Sequence, residues 1–216
     1  MQLTLREPGS AITHFIALLG AIVFAIPLLL KAALRGGPAA LPAMSIFVGG
    51  MIALYGASTL YHSVTVRQRA LRIFRKIDHM MIFVLIAGSY TPVCVIVLRD
   101  SSGPVLLPVI WGIAAAGICL KSISVSFPKW ISSVLYISMG WICLFTVRPL
   151  LASLSGPALG WLLAGGINST LGGILYALKL RIFNSRHPHF GSHEIFHLFV
   201  MGGSICHFVF MYFYVI

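Results

Sequence analysis

Three histidines, one aspartate and one serine stand at spacings that could assemble a metal-dependent hydrolytic centre: Ser58 and His62, Asp78, and His193 and His197. Residues four apart on a helix lie one turn above each other, so Ser58 and His62 share a face, as do His193 and His197. Three neutral imidazoles with one coordination position left open suit a catalytic zinc, which polarises a carbonyl and brings the pKa of a bound water toward neutrality. Asp78 would accept a proton from that water or hold it in place, and the Ser58 hydroxyl would orient either one. On spacing alone the same histidines could instead hydrogen-bond across membrane helices.

The segment His193-Glu194-Ile195-Phe196-His197 also matches H-E-x-x-H, in which Glu194 would be the general base of a metalloprotease. The extended form of that motif wants a third histidine where Gly203 stands, and no acidic residue follows Glu194. Glu194 lies about 100° around the helix from His193, a position that equally suits an acid at a helix N-terminus. His207 is about 21 Å beyond His193 along a helix and too distant to share its metal. His14 and His79 are expected to make structural hydrogen bonds near the same depth, and His187 and His189 to be solvated in a loop.

These residues need elements to hold them, and the composition dictates which kind. Of 216 residues, 59% are hydrophobic and 9% charged, with a mean hydropathy of +0.98; a soluble domain carries about a quarter charged residues. A water-soluble globular domain is excluded. Stretches free of charge and close to the roughly 20 residues needed to cross a bilayer as a helix occur seven times, at 12–30, 42–64, 79–98, 103–120, 130–147, 158–178 and 195–216. The expectation is an all-α integral membrane protein with seven transmembrane helices, a single domain over residues 1–216. The first stretch is too long for the apolar core of a signal peptide and is followed by six more, so it reads as a retained helix. Gly49-Gly50, Gly165-Gly166, Gly172-Gly173 and Gly202-Gly203 fall inside spans, where small residues let helices approach. Cys94, Cys119, Cys143 and Cys206 form no C-x-x-C pair and read as small apolar residues.

Only four acids (Glu7, Asp78, Asp100, Glu194) face fifteen Lys and Arg, a net charge of +11. With seven spans, the N-terminus and the even-numbered loops carry eleven of those cations: Arg6, Arg67, Arg69, Arg72, Arg75, Lys76, Lys121, Lys129, Lys179, Arg181 and Arg186. The opposite side carries Lys31, Arg35, Arg99 and Arg148. The positive-inside rule therefore predicts a cytoplasmic N-terminus and an outside C-terminus, which puts all the candidate ligands at the cytoplasmic end of their helices. The run from Arg67 to Lys76 has no stacking platform of aromatics, so membrane lipids with anionic headgroups are the expected partner and nucleic acid is not.

Ser58-x3-His62, then Asp78, then His193-x3-His197 and His207, taken together, resemble the pattern of the hemolysin III family. That family is grouped with the adiponectin and progestin receptors and, more widely, with alkaline ceramidases. Glu7-Pro8, Thr13-His14, Gly88-Ser89-Tyr90-Thr91-Pro92, Gly172-Gly173-Ile174-Leu175-Tyr176 and Phe190-Gly191-Ser192 add to the likeness, which covers nearly the whole chain. The resemblance implies zinc held by His62, His193 and His197 near the cytoplasmic face, with Asp78 and Ser58 beside a bound water. The eukaryotic receptors carry a long N-terminal region, whereas about a dozen residues precede the first span here. The expectation is a multi-pass protein of the bacterial inner membrane, not a hormone receptor.

Two classes of function follow. One is a zinc-dependent hydrolase that cleaves an amide or ester bond of a lipid substrate entering from the bilayer. The other is non-enzymatic: a cytolysin or pore-forming protein, or a sensor in membrane homeostasis. The outer halves of the spans offer few polar residues to line a pore. An intramembrane metalloprotease is the remaining alternative.

Overall fold

A computed structural model of the chain describes residues 5–123, 128–178, 184–185, 187 and 190–216. Lys179, Arg181, Arg186 and His189 lie outside the described residues. Among the described residues there are helices and no strands.

Seven helical segments among the described residues are long and apolar enough to cross a membrane. They are α1 (Pro8–Arg35), α2 (Ala40–Ser63), α3 (Gln68–Pro92) prolonged by a π turn over Val93–Val97, α4 (Gly103–Ile123), α5 (Lys129–Gly140) continued through a 3₁₀ turn (Ile142–Thr146) into α6 (Val147–Ser153), α7 (Gly156–Leu178), and α8 (Ser192–Phe210) with a final π turn over Met211–Val215. Large apolar side chains along α1, among them Ile16, Val23, Phe24 and Ile26, are exposed. So extensive an apolar surface fits lipid, not water.

The helices run longer than charge-free intervals suggest. α3 begins at Gln68 and carries Arg69, Arg72, Arg75 and Lys76 within its first turns, since Arg and Lys are good helix formers wherever their head groups stay wet. Asp78 is therefore well inside α3 and does not open it. The fifth span, short by charge counting, gains length by passing through a break at Trp141. Tyr90 repairs that break: its hydroxyl donates to the Gly140 carbonyl at 2.6 Å and accepts the Cys143 N–H at 3.0 Å. Backbone groups freed inside a membrane need such partners.

Packing runs α1 to α2, α2 to α3, α3 to α5, α5 to α7, α7 to α8 and α8 back to α1, with α4 joined through α3. This closed circuit surrounds a central cavity. The α2 and α3 backbones meet closely because each contributes a glycine. A Cβ at Gly50 would stand 3.3 Å from the Leu85 Cα, and one at Gly88 would stand 3.1 Å from the Ile46 carbonyl oxygen. Ser58 and His62 on α2 and Asp78 on α3 hold their relative positions through this contact. Gly88→Leu should cost about 1–3 kcal/mol by overpacking, read as a lower thermal midpoint in detergent. An unchanged midpoint would show that the two backbones can separate freely.

Candidate metal centre

α2 presents Tyr55, Ser58 and His62 on one buried face, each about 1% exposed. His62 sits one residue from the end of its helix, where carbonyls lack intrahelical partners. The segment ahead of α1 supplies them. The Glu7 N–H donates to the His62 carbonyl at 3.0 Å, the Arg6 N–H to Ser63, and the Arg6 guanidinium to the Tyr61 carbonyl at 2.7 Å while lying over the Tyr61 ring. This latch brings the Glu7 carboxylate onto His62 Nδ1. The hydrogen bond from His62 holds the Glu7 carboxyl below its ordinary value, against the opposing effect of partial burial.

The start of α8 is built around Glu194. One of its oxygens accepts the Gly191 N–H at 2.8 Å, closing a cap on the first turn. The other accepts the Ser10 hydroxyl at 2.5 Å, tying α8 to α1. Both oxygens of the H-E-x-x-H glutamate are thus engaged in holding the helix start, and this places His193 and His197 rather than leaving a free base beside them.

The ring nitrogens of His62, His193 and His197 come within 4.8 Å of one another and form a group able to hold a metal ion. His62 Nε2 lies 3.3 Å from His193 Nε2. Two nitrogens sharing a tetrahedral zinc at about 2.0–2.1 Å stand about 3.3 Å apart. The outer nitrogens are arranged as metal-binding histidines require. His62 Nδ1 is taken by Glu7, and His197 Nδ1 lies 3.1 Å from the Thr13 hydroxyl, which leaves Nε2 of each for the shared point. His193 Nδ1 is buried without a hydrogen-bond partner. The donor set therefore fits a metal with N-ligand preference, zinc among them.

Asp78, 8% exposed, stands outside the three-imidazole group, with the Ser58 hydroxyl facing its carboxyl. Its Oδ2 is 3.5 Å from His79 Nδ1, but that N–H is already directed to the Arg75 carbonyl at 2.8 Å, and the other His79 nitrogen lies 3.3 Å from the Tyr176 hydroxyl. Asp78 keeps acceptor capacity toward the cavity. His14 departs from expectation: neither of its nitrogens has a hydrogen-bond partner. The ring is held by stacking, 3.6 Å centroid to centroid on His197 and edge-on to Tyr55.

Ser58, Asp78, His193 and His197 line one part of a cavity of about 270 Å³ whose other walls are mainly apolar side chains of α5, α6, α7 and α8. His207 lines the same cavity. Four of the five site residues expected from the sequence thus line this cavity, and His62 joins them through the three-imidazole group. Glu7 and Thr13 are the additions, and the signal available for Glu7 was its being one of only four acids, placed directly before the first span.

Glu7→Gln keeps the shape but weakens the acceptor that fixes the His62 tautomer. Metal affinity should fall about 10- to 100-fold, measured by competition with a chromophoric chelator; an unchanged affinity would reduce Glu7 to a packing role.

A profile of the family described as Haemolysin-III related matches residues 3–208. The chain is 37% identical over 215 residues to Hemolysin-3 of Bacillus cereus, an alignment covering 100% of this chain and 94% of that protein. It is 38% identical over 209 residues to the Hemolysin-3 homolog of Bacillus subtilis (strain 168), covering 97% and 94% respectively.

Proposed function

Because the chain belongs to the Haemolysin-III related family, as a multi-pass membrane protein with three metal-competent histidines, we propose that it is a zinc-dependent hydrolase of lipid amide or ester bonds. The observation that carries this reading is the junction of the three-histidine group with a largely apolar cavity that also exposes a carboxylate. Zinc, when bound there, would polarise a substrate carbonyl and acidify a water.

The chain's own groups would do the rest. His62, His193 and His197 hold the ion, and Glu7 and Thr13 fix the orientation of two of those rings. Asp78 takes a proton at its carboxylate oxygen and returns it to the leaving group, with Ser58 orienting that carboxyl. The apolar cavity wall holds an acyl chain and excludes water from it. His14 keeps its stack on His197 and takes no proton in this scheme.

The eleven-to-four charge distribution supports a cytoplasmic N-terminus and a site at the cytoplasmic side. The Bacillus relatives support a bacterial inner membrane as the location. The name Hemolysin-3 carried by the Bacillus cereus relative is the observation for a second reading, a membrane-perturbing protein. The mainly apolar cavity wall argues against an ion-conducting path and favours the enzyme. The test is fatty-acid release from a panel of defined lipids by zinc-loaded protein in nanodiscs, beside Asp78→Asn. No release from any lipid removes the hydrolase reading.

A further inference from the structure

Of the cavity-lining imidazoles that the hydrolytic scheme leaves unused, His14 and His79 stand beside His197 and Asp78, whereas His207 stands apart from them. It lies more than halfway along the last span, ten residues past His197 and so about 15 Å farther from the metal group. An ionisable side chain at that depth is costly and is a functional candidate by default. Its Nδ1 has no hydrogen-bond partner, and the ring lines the cavity that begins at His193, His197 and Asp78.

The space for this ring is carved from the facing helix. α7 runs antiparallel to α8: Tyr176 lies beside His193, Gly172 packs on Phe196 and Phe199, and Gly165 meets His207. A Cβ at Gly165 would be 2.5 Å from His207 Nε2, so only glycine admits the imidazole in this place. Ser169, one turn from Gly165 toward the metal group, lines the same stretch of wall. Between the two polar regions the cavity is bordered by Gly173, Gly166 and Val200, small or apolar groups beside which a methylene chain can lie.

We propose that His207 is a second polar station in this cavity, and that the lipid bound there carries a hydroxyl on its acyl chain about 15 Å from the carbonyl held at the metal end. This rests on the hydrolase reading for the identity of the carbonyl end. A neutral imidazole has one donor and one acceptor nitrogen; Nδ1 of His207 is buried, and Nε2 can pair with a hydroxyl in either role. A plain hydrocarbon chain would leave the ring unpaired in an apolar surrounding, which is unfavourable.

The test compares oleate with ricinoleate, chains differing by one mid-chain hydroxyl, in direct binding to the protein in nanodiscs. Wild type should prefer ricinoleate by about threefold to tenfold, the worth of one net hydrogen bond. His207→Phe should erase the preference with oleate binding no weaker and metal content unchanged, and His207→Gln, which keeps a donor and an acceptor, should restore much of it. Equal affinity of wild type for the two chains overturns the proposal, and that comparison needs no variant to fold. A preference that survives in His207→Phe overturns it as well. Binding requires no turnover, so a protein that prefers ricinoleate yet hydrolyses no lipid would sink the hydrolase reading and leave the polar station standing.

Discussion

Wild-type protein purified in detergent with zinc present should retain about one ion per chain through gel filtration, and His62→Ala should retain almost none. His62 is the member of the group held most firmly by the rest of the protein: its carbonyl accepts the Glu7 N–H, its Nδ1 is taken by the Glu7 carboxylate, and its Nε2 stands 3.3 Å from His193 Nε2. Losing an outer partner of a metal-binding histidine already costs about 10- to 100-fold in affinity, and deleting the ligand itself should cost more. His193→Ala should behave alike, whereas His207→Phe should keep its metal, since that ring is about 21 Å along the helix from His193. Elemental analysis of the three variants beside wild type decides the matter. A metal-free wild type, or a His62→Ala variant that binds as wild type does, would reduce the cluster to interhelical packing and remove the basis of the hydrolase.

Seven spans and the pairing of His193 with His197 were legible because both depend on local chemistry: the lengths of charge-free stretches and the pitch of a helix. Helix ends were less legible. The cationic run before Asp78 looked like a loop by charge, yet Arg and Lys continue a helix as readily as Leu does, and α3 starts ten residues before Asp78. The role of Glu7 depends on a contact across 55 positions of sequence, set by a latch over the end of α2 that no periodicity announces. Glu194 shows the converse difficulty. Its motif suggested a catalytic base, but the Ser10 hydroxyl that engages it lies 184 positions away. His14 is similar: its stacking on His197 follows from the closure of the helical circuit between α1 and α8.

The strongest separation of binding from chemistry is expected from Asp78→Asn, which conserves volume and removes only the ability of the side chain to take a proton. Asp78 is outside the three-imidazole group and is nearly buried at the cavity wall, so the variant should keep its zinc and its fold. Lipid hydrolysis should fall by about 10²- to 10⁴-fold, the usual worth of a positioned general base. Ser58→Ala, which leaves the carboxylate in place and deletes only the hydroxyl facing it, should cost less, on the order of one net hydrogen bond or about tenfold. This ordering is what distinguishes a proton-transferring carboxylate from a structural one. If Asp78→Asn lost metal and activity together, the carboxylate would be a support for the histidine cluster. If it hydrolysed lipid at the wild-type rate, proton transfer would have to be assigned elsewhere. His14, buried with both nitrogens unpartnered and stacked on His197, would be the next group to replace.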